Sequence, residues 1–124
     1  MPFASIRIVT DDLDGLVAFY EQVTGQRAER STPVFAQFNG PGANLAIAST
    51  ATVAMLDGAL APATNRSVFI EFEVADVDGE FAKLQPMSDD VVLEPTTMPW
   101  GNRSALLRDP DGNIVNLFSK PTTY

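Results

Sequence analysis

The sequence of 124 residues contains no histidine and no cysteine. The absence of histidine excludes an imidazole base, a Ser-His-Asp triad and a metal site with imidazole ligands. The absence of cysteine excludes disulfides, thiolate metal sites and a cysteine nucleophile, and it favours a cytoplasmic location. Any acid–base or metal chemistry must therefore rely on carboxylates and neutral polar groups.

Long apolar runs and basic runs are also missing. No stretch of about 18 apolar residues could span a membrane, and the first residues lack the features of a secretory signal. Sixteen acidic residues face eight basic ones, for a net charge of −8. We therefore expect no membrane association and no binding to nucleic acid, and the charge would attract cationic partners. A solvated acidic surface is the simpler explanation of that charge.

The strongest local motif is Asp-Pro-Asp-Gly at residues 109–112. It predicts a turn, because Asp at the first position can bond the backbone ahead and Pro presets φ for the second. The strand that follows should point Ile114, Asn116 and Phe118 to one face. Asn116 is the polar exception in an otherwise apolar strand.

A second motif occurs twice and divides the chain into halves. Asp-apolar-Asp-Gly stands at residues 12–15 and 76–79, each time after a predicted strand, where the first Asp can cap a helix. The pattern predicts one domain, with a first module at about 1–50, a linker at 51–66 and a second module at about 67–124. We predict an α+β fold in which two βαβββ modules form a curved mixed sheet, with a concave groove and helices on the convex face.

These motifs resemble the vicinal oxygen chelate superfamily, which includes glyoxalase I, extradiol dioxygenases, fosfomycin-inactivating enzymes and bleomycin-resistance proteins. The resemblance covers nearly the whole chain and rests on four stretches: residues 12–20, residues 72–78, Pro99-Trp100-Gly101 and residues 109–113. It implies a fold more than an activity, because this fold hosts many functions.

The resemblance also implies where a divalent metal would bind. The family's His and Glu ligands fall here on Ser5, Phe69 and Asn116, with the fourth near Ala46 to Ala48. These residues offer neither an anionic oxygen nor imidazole. We therefore expect no metal, no cofactor and no metal-dependent enzyme, and the chain is most similar to the metal-free drug-binding members.

Those members imply a homodimer that sequesters a planar or cationic natural product, such as an antibiotic, in its groove. The residues that we predict to contact this small-molecule ligand are Arg7, Gln37, Phe69, Glu71, Trp100, Arg103, Asn116 and Phe118.

Each candidate also has a simpler explanation. Trp100 could stack on a planar ligand, or pack at a rim or a dimer interface. Arg7 could bond a ligand or pair with Glu71, and Arg103 could reach a ligand or be an ordinary surface residue. Of the remaining candidates, the aromatic ones could belong to a core or an interface. The two amides could bond neighbouring side chains.

Two alternative functions stay open. A metal-independent lyase or isomerase could use Glu71 or Glu73 as a general base, with Arg7 stabilising an enolate. An interaction module is the third hypothesis, and a shallow, closed groove would favour it.

Overall fold

A computed structural model describes residues 1–121 of the chain. The residues group into two compact units, the first spanning Met1–Thr64 and the second beginning at Asn65. The first unit contains β1 (Ser5–Thr10), α1 (Leu13–Thr24), β2 (Glu29–Thr32), β3 (Phe35–Asn39), β4 (Asn44–Ser49) and a 3₁₀ helix (Thr50–Leu56). The second contains β5 (Phe69–Glu73), α2 (Val77–Leu84), a 3₁₀ turn (Gln85–Met87), β6 (Val91–Thr97), β7 (Arg103–Arg108) and β8 (Ile114–Ser119).

The two units have the same strand topology. The first sheet has the order β1-β4-β3-β2 and the second the order β5-β8-β7-β6. In each sheet the first and last strands of the unit pair in parallel, and the remaining pairs are antiparallel. The predicted α+β fold of two βαβββ modules is confirmed, and hydrogen bonding gives each module its own four-stranded sheet.

The repeated Asp-apolar-Asp-Gly motif is a helix cap in both units. Asp12 Oδ1 accepts a hydrogen bond from the Gly15 amide at 3.0 Å, and Asp76 Oδ1 accepts one from Gly79 at 3.1 Å. A Cβ atom at either glycine would lie 2.2 or 2.3 Å from a capping carboxylate oxygen. The glycine therefore leaves room for the cap, which explains the motif.

Both helices bury an apolar stripe. The buried residues of α1 are Leu16, Val17, Phe19, Tyr20 and Val23, and those of α2 are Val77, Phe81 and Leu84. The sheet residues buried with them include Ile47, Leu107, Val115 and Leu117. Ile6, which the strand pattern places on the buried face, is exposed, because β1 is an edge strand that becomes buried only towards Thr10. No helix among residues 1–121 is long and apolar enough to cross a membrane.

The segment predicted as a linker begins with ordered structure. The 3₁₀ helix is capped by Ser49, whose hydroxyl accepts from the Ala51 amide, and it buries Val53. Thr50 Oγ1 donates to Asp11 Oδ1 at 3.0 Å. These bonds attach the first part of the segment to the first unit.

The Asp-Pro-Asp-Gly motif forms the predicted turn between β7 and β8. The carboxylate of Asp109 is buried and accepts bonds from the backbone amides of Asp111 and Asn113, both at 2.9 Å, and from Asn113 Nδ2 at 2.8 Å. Asn113 Oδ1 in turn accepts from Asn65 Nδ2 at 3.1 Å. The turn is therefore held by a buried polar network that reaches the start of the second unit.

Candidate functional site

Sheet register brings Glu71 and Asn116 together in the second unit. The parallel pairing of β5 with β8 sets Glu71 opposite Asn116, and the antiparallel pairing of β8 with β7 sets Asn116 opposite Leu106. Leu93 of β6 completes this row across the sheet. Residues at alternate positions share this side, which we call the Asn116 face: Phe69, Glu71, Glu73, Leu93, Ser104, Leu106, Arg108, Ile114, Asn116 and Phe118.

The amide of Asn116 is satisfied on one arm only. Nδ2 donates to Glu71 Oε2 at 2.8 Å. Oδ1 is buried and has no hydrogen-bond partner among residues 1–121. A buried acceptor without a partner costs about 1–3 kcal/mol. Buried polar atoms of native proteins normally have a partner, so this oxygen indicates a position for an additional donor.

The surroundings of Asn116 combine aromatic surface with negative charge. Phe69 is 56% exposed, and Phe118 is half-buried. Glu71 and Glu73 are exposed, and among residues 1–121 Glu73 has an ion pair, with Lys120 Nζ at 3.6 Å, whereas Glu71 has none. Such a surface favours a ligand that is aromatic in one part and cationic in another.

The equivalent row of the first unit has a different character. Arg7, Ala46, Gln37 and Glu29 follow one another across the sheet. Gln37 Nε2 donates to Asn39 Oδ1 at 2.6 Å, and Asn39 Nδ2 donates to the Glu29 carboxylate. Within the first unit, the guanidinium of Arg7 has neither a hydrogen bond nor an ion pair. Arg7 and Gln37 thus flank a small central residue.

Arg103 lies on the other side of the second sheet from Asn116. Its register partner is Ser119, which alternates away from Asn116 along β8. Arg103 Nε and Nη2 donate to the two carboxylate oxygens of Asp78 on α2, at 2.7 and 2.8 Å, and Nη1 donates to Thr97 at 3.0 Å. The hydrogen bond from Arg103 and its positive charge lower the pKa of Asp78. The structure therefore does not bring Arg103 together with the candidates on the Asn116 face.

Trp100 occupies the hairpin turn between β6 and β7. The turn is closed by bonds from the Gly101 amide to Met98 O at 2.9 Å and from the Met98 amide to Asn102 O at 2.7 Å. Gly101 has a φ of 102°, and a Cβ there would approach Pro121 Cγ to 2.9 Å. The turn leaves Trp100 69% exposed, so its indole is available to a partner.

The second unit also has a cleft that sequence reasoning missed. It has a volume of about 390 Å³, and its lining includes Met87, Asp90, Arg108 and Pro110. Arg108 Nε pairs with Asp90 at 2.9 Å, and Nη1 donates to Gly112 O at 3.0 Å. Its lining joins the Asp-Pro-Asp-Gly turn to residues 87–90, and the sequence motif could not predict which distant stretch lies beside that turn. None of the predicted ligand-binding residues lines it.

Comparison with known proteins decides the family. The family model described as glyoxalase/bleomycin resistance protein/dioxygenase superfamily matches residues 3–117. The chain belongs to this superfamily. A search of the curated proteins finds no match.

Solved structures of other proteins share this fold along nearly the whole chain. A family enzyme from Burkholderia phytofirmans PsJN has a TM-score of 0.83 at 17% identity, covering 96% of this chain and 98% of its own. A glyoxalase/bleomycin resistance protein/dioxygenase from Nocardioides has a TM-score of 0.75 at 24% identity, and the match covers 100% of this chain and 86% of the Nocardioides chain. TioX from Micromonospora sp. ML1 has a TM-score of 0.68 at 20% identity, covering 98% of each chain. At these identities the likeness shows the fold alone.

The positions that the superfamily resemblance assigns to metal ligands do not fit a metal here. Ser5 lies on β1, Phe69 on β5 and Asn116 on β8, and the β4 residue equivalent to Asn116 is Ala46. A hydroxyl, a phenyl ring, a neutral amide and a methyl group are poor ligands for Zn²⁺, Fe²⁺ or Mg²⁺. Within residues 1–121, no group of three or more acidic side chains is arranged to hold a metal ion.

Proposed function

We propose that this member of the superfamily is a metal-independent binding protein for a planar, cationic small molecule. The observation that carries the proposal is the buried Oδ1 of Asn116, which has no hydrogen-bond partner among residues 1–121 and lies between aromatic and acidic residues in the sheet register. A binding site of this kind needs an apolar surface and a few placed polar groups, and the Asn116 face offers both.

The biological role that we propose is sequestration of a natural product, which would protect a cell from an antibiotic. Binding would require no chemistry, which agrees with a donor set that does not suit a metal. We further propose a cytoplasmic homodimer, because the sequence lacks cysteine and resembles paired drug-binding proteins. Sedimentation of the purified protein would measure the assembly, and a monomer at micromolar concentration would contradict it.

The alternative of a metal-independent lyase or isomerase has less support. An enzyme site of this kind encloses its substrate and excludes water. Glu71 and Glu73 are both exposed, and neither lines the cleft of the second unit.

The proposal is tested by titrating the chelator-treated protein with planar cations, namely ethidium, acridine orange and metal-free bleomycin. Amide signals of ¹⁵N-labelled protein report binding at the Asn116 face, and Trp100 fluorescence reports contact at the hairpin. We expect micromolar binding, and Asn116→Leu should weaken it about ten- to a hundredfold through loss of one hydrogen bond to a charged donor.

The matched control is Gln22→Leu, which removes an exposed amide from α1 of the first unit and should leave the affinity unchanged. No signal change with any of the compounds would contradict the proposed function. A strict requirement for added divalent metal would contradict its metal independence.

A further inference from the structure

The orientation of the Asn116 amide is fixed by its neighbour. An ionised carboxylate only accepts hydrogen bonds, so the Nδ2 group of Asn116 must face Glu71, as the 2.8 Å contact shows. The planar amide then holds Oδ1 on its other arm, where it is buried and lacks a partner among residues 1–121. The reversed amide would set two acceptors against each other and leave the donor unsatisfied.

We propose that Glu71 is a positioning residue that holds Asn116 Oδ1 as an acceptor, so that the site selects ligands with a cationic N–H donor, such as an ammonium or amidinium group. This inference rests on the proposed function and names its ligand class. It assigns Glu71 a role through Asn116, in addition to any direct attraction between its charge and the ligand.

Selection against other ligands follows from the same geometry. A ligand carbonyl or carboxylate at this position would meet the Asn116 oxygen and the Glu71 carboxylate, both of which are acceptors. Specificity of this kind comes from the unpaired groups that a wrong ligand leaves behind. A quaternary ammonium would keep the charge attraction but could not donate to Oδ1. Comparing it with a primary ammonium therefore separates the contribution of charge from that of the hydrogen bond.

Access to Oδ1 requires neighbouring side chains to move. By register, Asn116 is flanked on its own face by Ile114 and Phe118 along β8 and by Leu106 across the sheet. All three are half-buried. Rotation of one of these side chains towards solvent would open Oδ1 to a hydrogen-bond donor of the ligand. The aromatic part of the ligand would then cover the apolar surface that the rotation exposes.

The fold itself does not demand this arrangement. In the first unit, Ala46 occupies the position equivalent to Asn116 and Arg7 the position equivalent to Glu71, and the sheet has the same order and pairing. A sheet of this topology therefore forms without a central amide. A polar group that breaks the local pattern without a structural need is typical of a functional position.

Three probe compounds with one ring system test the inference: 2-naphthylmethylammonium, its N,N,N-trimethyl analogue and 2-naphthoate. In the wild-type protein we expect the ammonium to bind at least about tenfold more tightly than the trimethyl analogue, and the naphthoate more weakly than either. In Glu71→Gln the ratio between the two cations should fall to about threefold or less. Glutamine can both donate and accept, so the Asn116 amide can then take either orientation.

The control is Glu73→Gln, which makes the same charge change two residues along the same strand face. It should weaken both cations by a similar factor and leave their ratio unchanged. Circular dichroism should show both variants folded, because both carboxylates are exposed. Equal affinity of the wild type for the two cations, or equal effects of the two variants on the ratio, would overturn the positioning role and leave the proposed function standing.

The ligand-free protein gives an independent readout. One side-chain Nδ2 proton of Asn116 is hydrogen-bonded to Glu71 in the wild type and in Glu73→Gln. Its NMR signal should lie further downfield in these two proteins than in Glu71→Gln. Failure of all three compounds to bind would overturn the ligand class, and the titration with planar cations would then decide the proposed function separately. An Asn116 signal that does not respond to Glu71→Gln would overturn the positioning role directly.

Discussion

The two units of this chain share a topology but differ at the centre of their sheets. Both have the same strand order and the same Asp–Gly helix cap, with 3.0 and 3.1 Å bonds. At equivalent positions, however, the first unit has Arg7 beside Ala46, and the second has Glu71 beside Asn116. The charge is reversed and the central methyl group is replaced by an amide. The shared features are those that folding requires, and the differing features are those that are available for recognition.

The turns that precede the last strand of each unit also differ, and this difference concerns the support of the fold. In the second unit Asp109 is 4% exposed and organises a buried network. In the first unit the corresponding turn has one long bond, from the Gly40 amide to Asn44 Oδ1 at 3.3 Å, at an exposed position. The second unit therefore depends on a polar network for a strand connection that the first makes with little side-chain support.

The largest effect that we expect comes from breaking this network. Asp109→Ala removes the acceptor of at least three hydrogen bonds and leaves their donors unsatisfied, so it should lower the free energy of unfolding by about 2–4 kcal/mol. Asn44→Ala, the control in the first unit, should change it by less than about 0.5 kcal/mol. Urea denaturation measures both, and similar effects of the two variants would contradict the contrast between the turns.

Substituting the central residue of each sheet should change the free energy of unfolding in opposite directions. Ala46 is buried, so Ala46→Asn should cost about 1–3 kcal/mol through overpacking and burial of an amide. Asn116→Leu removes an oxygen that has no partner among residues 1–121 and should raise the free energy of unfolding by about 1 kcal/mol, although the proposed ligand binding should weaken. Thermal and urea denaturation check both variants. A destabilised Asn116→Leu would show that the amide serves folding rather than function.

The helix caps should respond equally, because their geometry is the same in both units. Asp12→Ala and Asp76→Ala should each cost about 1 kcal/mol, and the Asn variants should retain most of the stability, since Asn caps as well as Asp. Urea denaturation of the four variants measures the comparison. A difference of more than about 1 kcal/mol between the two Ala variants would show that the units use the motif differently.

The smallest effect on stability that we expect comes from the second Asp of each Asp-apolar-Asp-Gly motif. Asp78 is bonded through both oxygens to Arg103, whereas Asp14 is bonded through one oxygen to Arg30 at 2.9 Å. Asp78→Asn should therefore lower the melting temperature slightly at pH 7, and more than Asp14→Asn does, although exposed ion pairs contribute little.

The pH dependence of this pair has a definite sign. Because folding lowers the pKa of Asp78, its contribution is present above the unfolded pKa of about 3.9 and is lost as pH falls through the lower, folded pKa. The difference in melting temperature between wild type and Asp78→Asn should be constant from pH 7 to 5 and shrink below pH 4. High salt should reduce it at pH 7. A difference that grows towards low pH would contradict the assigned cause.

Much of the fold could be predicted from the sequence because its signals are local. The caps, the turn at residues 109–112 and the alternation in β8 each depend on a few consecutive residues. Arg103 could not be placed in this way. It is three residues from Trp100 along the chain, but the pairing of β7 with β8 turns it towards Asp78 and away from the Asn116 face. Which side of a sheet a residue faces depends on register, and a shift of one residue reverses it.

The sequence by itself determined the repeated βαβββ modules, their caps and the polar exception at Asn116. Only the tertiary structure decided that Glu71 bonds that amide, and that Oδ1 is buried without a partner in the part of the chain that the structure describes. The reason is physical. Helix caps and turns are fixed by bonds between near neighbours in the chain, whereas Glu71 and Asn116 are 45 residues apart and meet only when two distant strands pair in register.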